Sequence, residues 1–167
     1  MSNIHKDPST RPMIRINGRT ISPHRYIMEN VLERPLQTYE VVHHIDFDFN
    51  NNKISNLVCM HQGQHSILHG HVRGFLGQTG LHVFMTEFIN MKKCWYNAEL
   101  MEYEWADDFW LWLGDPNVRK QIEQAHEQRT KLRAYYEANL NRIPEFATLL
   151  EQLKLDYIYE RLCGSYE

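Results

Sequence analysis

Residues 39–72 constrain the fold more than any other part of the chain. The run YEVVHHI (39–45) is rich in β-branched residues and reads as a strand. DFDFNNNKIS (46–55) reads as a loop, because aspartate and asparagine side chains bond to nearby backbone and favour turns. NLVCM (56–60) reads as a second strand, and QGQHSILHGHV (62–72) as a short helix packed beside the hairpin. Six of the chain's ten histidines fall within residues 41–71. A soluble core does not need imidazole at that density, so the stretch calls for a chemical explanation.

The period of each element decides where these rings point. His43 and His44 are neighbours on the first strand, so their side chains leave on opposite faces. One can serve a metal while the other faces a different group. His65 and His69 are four apart on the helix and project from one face. Three imidazoles from two elements can converge on one cation and leave a coordination position open, the layout of a catalytic site rather than a closed structural one. A rival set, Cys59, His61, His65 and His69, has the donor types of a structural zinc site, but it leaves His43 and His44 unexplained.

Composition bounds the alternatives. With 167 residues and 43% hydrophobic side chains, the chain can bury the core of one domain, or of a small domain plus an extension. No stretch approaches 18 apolar residues, and MSNIHKDPSTRP (1–12) has no apolar signal-peptide core. The expectation is an intracellular, cytoplasmic protein without a membrane segment. Cys59, Cys94 and Cys163 are odd in number and widely spaced, which argues against a disulfide framework. Net charge is −3, unevenly spread: 8 Lys and Arg face 6 Asp and Glu in residues 1–80, against 10 and 15 in residues 81–167. A nucleic acid should therefore meet the N-terminal half. Arg15, Arg19, Arg25, Arg34, Lys53 and Arg73 make up most of that half's positive charge and are the expected phosphate contacts.

Outside the histidine stretch, residues 1–12 read as a flexible lead. MIRINGRTI (13–21) alternates around Asn17-Gly18, a strong hairpin signal. SPHRYIMENVL (22–32) reads as a helix with Ser22 as N-cap, Pro23 in its first turn, and Tyr26, Ile27, Val31 and Leu32 on one face. GFLGQTG (74–80) is the expected boundary between a domain at 13–76 and an extension at 81–167. The extension reads as helical, with helices near 81–94, 98–113, 116–140 and 144–162. Trp105, Phe109 and Trp112 would form one apolar helical face. Trp110 falls off that face and points to a homodimer or protein-partner contact through this C-terminal region.

VHHID (42–46), NNNKISNL (50–57) and HSILH (65–69) stand in a definite order: a histidine pair, an asparagine followed by leucine, then His-x-x-x-His. That order resembles the HNH endonuclease family, the ββα-metal nucleases. HRYIMENVLERPLQTYEVVHHID (24–46) is similar to the lead-in of small phage and mobile-element members. The resemblance covers residues 13–71 and implies an α+β protein. A hairpin and a helix lead into a ββα-metal core, and the α-helical extension follows. By this resemblance His43 is the first metal ligand and His44 the general base. Asn56 ties down the loop and helps orient the base. His65 is the ligand at the last motif position, and His69 the extra ligand of histidine-rich members such as the colicin nucleases. One divalent ion per site is implied, among magnesium, manganese, zinc and nickel, with three imidazoles suiting the last three better. The implied reaction is hydrolysis of DNA, duplex in the first instance, to a 5′-phosphate and a 3′-hydroxyl, in a bacterial or phage-encoded protein. Two other classes are a non-catalytic nucleic-acid-binding module with a structural metal and a toxin-like nuclease acting on RNA.

Overall fold

The computed structural model describes residues 13–139. The lead over 1–12, the helix expected over 144–162 and Cys163 lie outside the described residues. The described fold is α+β, with three antiparallel strand pairs and five α-helices. No helix among the described residues is long and apolar enough to cross a membrane.

Strands β1 (Ile14–Ile16) and β2 (Arg19–Ile21) pair through Asn17-Gly18. Both turn residues have positive φ, +51° and +78°, the two-residue geometry that suits the strands' twist. Helix α1 (Pro23–Leu32) follows, with proline in its first turn as expected. Its buried face differs from the expected one. His24, Met28 and Glu29 are buried, Ile27 and Val31 are half-buried, and Leu32 is exposed. The reason is polar: the Glu29 carboxylate accepts from the Arg19 guanidinium at 2.7 Å and from the Leu36 backbone N–H at 3.0 Å. Those bonds turn the helix so that its carboxylate lies under the returning chain.

β3 (Glu40–His44) and β4 (Leu57–His61) form the central antiparallel pair, with His43 opposite Val58 and His44 opposite Leu57. Helix α2 (Gln62–Leu76) starts directly from β4. His61 caps it: its Nδ1 accepts from the Gly63 N–H at 3.0 Å, and its own N–H donates to the Gln64 side chain at 3.2 Å. Leu68, Val72 and Leu76 form the buried stripe of α2 at helical spacing.

The extension is not all helical. A short 3-10 turn (Leu81–Phe84) and helix α3 (Met85–Asn90) are followed by a hairpin, β5 (Cys94–Asn97) and β6 (Glu102–Trp105), and β6 lies where the helix over 98–113 was expected to begin. Aromatic-rich segments such as Cys94-Trp95-Tyr96 and Tyr103-Glu104-Trp105 suit a pleated surface, and cross-strand pairing of Tyr96 with Tyr103 wins over helical spacing. Trp105, Phe109 and Trp112 still meet, but from β6 and from helix α4 (Phe109–Leu113) rather than along one helix. Helix α5 (Pro116–Asn139) follows the sequence expectation. Trp110 is 49% exposed and stacks on Phe75 of α2.

One apolar core takes residues from both sides of the glycine-rich segment. Met60, Leu68, Val72 and Leu76 pack in one cluster with Leu81, Met85, Phe88, Cys94, Tyr103, Phe109, Leu113 and Ile122. Gly77 and Gly80, with φ of +67° and +72°, make the turn that folds the chain back onto α2. Phe88, fully buried at the centre of that cluster, should be expensive to truncate. Phe88→Ala should cost about 3–5 kcal/mol in urea denaturation, with α2 and the extension unfolding in one shared transition.

Candidate functional site

Strand β3 is covered on both faces, which buries both of its histidines to 3% exposure. Val42 faces Met28 of α1 together with Leu36 and Leu57, while Val41 and Val58 pack toward the larger core beneath α2. Alternation along the strand therefore sends His43 to the α2 side and His44 to the α1 side.

On the α2 side the ring of His43 lies 5.3 Å from that of His65 and 5.2 Å from that of His69, centroid to centroid. The Nε2 atoms of His65 and His69 are 3.1 Å apart, so at least one of them is without a proton. One nitrogen from each of the three rings lies within 4.8 Å of the others, and these residues could hold a metal ion. The donor set fits that use. Bonds of about 2.0–2.1 Å in a tetrahedral zinc site put ligand nitrogens roughly 3.3 Å apart, close to the His65–His69 spacing. Burial, then the neighbouring rings of His69 and His65, lowers the pKa of His43 to about 3. The ring is thus neutral at physiological pH, the form that binds metals.

Two aromatic residues close this side. Phe47, held at a φ of +61°, packs edgewise on His43 and His69 with centroids 5.2 Å away in each case. Tyr103 of β6 meets His43 Nε2 through its hydroxyl at 2.8 Å and donates to the carbonyl of Ile45. Burial pushes the Tyr103 hydroxyl well above its ordinary range, so it stays a phenol. His65 and His69 are only half-buried, which gives the cluster an accessible side.

On the α1 side His44 Nε2 lies 2.9 Å from Asn52 Oδ1. An amide oxygen only accepts, so Nε2 donates and the lone pair of the neutral ring is on Nδ1. The His24 ring stands 5.0 Å from His44, and Phe49 stands 5.7 Å away. Asn56 ties the loop together. Its Oδ1 accepts from the Asp46 N–H at 3.0 Å, and its Nδ2 donates to Asp46 Oδ1 at 2.8 Å and to the Asn51 carbonyl at 2.9 Å. It fixes the loop, and the loop carries Asn52 to His44.

The six basic residues fall into two groups. Arg19 is paired with Glu29 and Arg34 with Glu40, while Arg25 donates to the Glu40 carbonyl at 2.8 Å, so all three hold the fold. Arg15, Lys53 and Arg73 are exposed, Lys53 next to Asn52 and Arg73 one turn beyond His69. The rival zinc set is not assembled. Cys59 packs with the Met28–Leu36 cluster on the α1 side, and His61 is the helix cap and stacks on Tyr39.

Asn52 and Tyr103 are the residues that a site search in sequence passes over. Asn52 is one of three consecutive asparagines with identical turn propensity, and Tyr103 is 60 positions from His43 with no motif around it. Compared with protein-family models, curated proteins and solved structures, the chain gives no match.

Zinc binding separates the two ligand sets. After incubation with zinc and desalting, elemental analysis should find the metal retained by the wild type and by Cys59→Ser. His43→Ala, outside the rival set, should lose most of it, as should His65→Ala and His69→Ala, which both sets share.

Proposed function

We propose that the protein is a metal-dependent endonuclease of the HNH, or ββα-metal, type that hydrolyses DNA phosphodiester bonds, as a nick or a double-strand cut. The observation that carries this reading is the end of β3. A three-imidazole cluster stands on one face, and a histidine held by an amide stands on the other. The order of strand, loop, strand and helix supports the same reading, with β3, β4 and α2 as the ββα unit.

The chemistry follows from the obstacle. A phosphodiester is negatively charged and repels nucleophiles, so a water must be deprotonated as it attacks. His44 is suited to take that proton: Nε2 is committed to Asn52, and the basic lone pair is on Nδ1. Asn52 also steadies the imidazolium that forms, because its oxygen faces the N–H that carries part of the new charge. His43, His65 and His69 would hold a divalent ion, which when bound offsets charge on a non-bridging oxygen and on the departing 3′ oxygen. Lys53 and Arg73 are the exposed cations nearest in sequence to the two halves of the site and would meet flanking phosphates. A purely structural metal module would have no use for a polar, amide-held His44 or for an accessible side to the cluster.

Supercoiled plasmid incubated with magnesium, manganese, zinc or nickel should be nicked or linearised. His44→Ala should cut roughly 10²–10⁴-fold more slowly while retaining metal. Undiminished cutting by that variant would sink the general-base assignment. Duplex DNA, single-stranded DNA and RNA run side by side identify the substrate, and preference for RNA would favour the toxin-like reading.

The loop asparagine gives a graded test. Asn52→Ala should slow cleavage, though less than His44→Ala. Asn52→Asp, which can still accept from Nε2–H, should keep most of the rate. Equal rates for wild type and Asn52→Ala would remove Asn52 from the mechanism.

A further inference from the structure

We infer that Tyr103, on the hairpin of the C-terminal extension, decides which nitrogen of His43 meets the metal, and that this nitrogen is Nδ1. The inference rests on the metal-site part of the proposed function and not on nuclease activity.

The hydrogen-bond directions leave one arrangement. A backbone carbonyl can only accept, so the bond between Tyr103 and Ile45 uses the single phenolic proton. The phenolic oxygen can then only accept from His43, so the proton of His43 sits on Nε2. A nitrogen that carries a proton cannot ligate, which leaves Nδ1 to face the ion. The chain Nε2–H to phenol to carbonyl starts at His43 and ends two residues later at Ile45. It therefore fixes the ring and the strand's exit together. Tyr103 is placed for this by its own surroundings, since it is buried, tilted against Phe47 at 5.3 Å and paired across the hairpin with Tyr96. Partners of this kind set the tautomer and orientation of metal-bound histidines and raise their basicity. Tyr103 acts through His43 and is a positioning residue.

The test needs the full chain and zinc. Long-range 1H–15N correlation spectra, recorded before and after zinc addition, report which imidazole nitrogen carries the proton. His43 should be protonated at Nε2 in both, with zinc shifting Nδ1. In competition with a chromophoric chelator, Tyr103→Phe should bind zinc about 10–100-fold more weakly. Its metal-free spectrum should show a mixture of the two His43 tautomers. A proton on Nδ1 in the wild type, ligation through Nε2, or unchanged zinc affinity in Tyr103→Phe would overturn this assignment alone. A wild type that binds no zinc would overturn the metal reading and this one with it. Should the phenylalanine variant fail to fold, the wild-type spectra still decide.

Discussion

The two-sided burial of β3 is the constraint on which the rest depends. A strand covered on one face has one inside and one outside, and adjacent polar residues could not both be enclosed. Here α1 and its neighbours cover one face and α2 the other, so both histidines are buried while pointing apart. Register becomes critical as a result, because a slip of one residue would exchange every side chain between the faces. The facing pairs of β3 and β4 oppose such a slip, since Val42 and Cys59 face each other in the small core and Val41 and Met60 in the large one. Burying an imidazole without a partner costs on the order of 1–3 kcal/mol, and here each ring has one: Tyr103 for His43 and Asn52 for His44.

The loop between these strands is built as a small closed network. Asp46 is its hub: its carboxylate accepts from the Asp48 N–H, the Asn51 amide and the Asn56 amide. Asn56 closes the circuit from the far end, and the Ile45 N–H donates to the Asn56 carbonyl at 2.8 Å. Positive φ at Phe47 is unfavourable for a bulky residue, by roughly 1–2 kcal/mol. The network fixes the backbone on both sides of it, and the Phe47 ring gains contact with His43, His69 and Tyr103. The same loop thus serves both faces, with Phe47 over the three-histidine cluster and Asn52 at His44.

What could be read from the sequence is what local geometry alone decides. The Asn17-Gly18 turn, the proline start of α1, the opposite outlook of His43 and His44 and the shared face of His65 and His69 all follow from neighbours a few residues apart. The misreadings have a common cause in tertiary contact. Helix α1 turned by its carboxylate because Arg19 and the Leu36 N–H wait for it, and both come from outside the helix. The aromatic spacing around 103–113 fits a helix and a hairpin-then-helix equally well, and only the pairing of β5 with β6 distinguishes them. Asn52 stood out from Asn50 and Asn51 only once the loop had closed.

The extension is bound into the same structure by more than apolar packing. Glu87 of α3, almost fully buried, is held by Arg129 of α5 at 2.7 Å, with His126 at 3.5 Å. A buried carboxylate that lost its guanidinium would be strongly destabilising, so this contact locks α5 against α3. α3 in turn carries Phe88 into the core beneath α2, and β6 carries Tyr103 to His43. Without residues beyond 80 the apolar stripe of Leu68, Val72 and Leu76 would face water, and His43 would lose the partner that sets its proton. The strand pair and helix that carry the histidines are therefore complete only with the extension in place, and its influence reaches the site through one phenol.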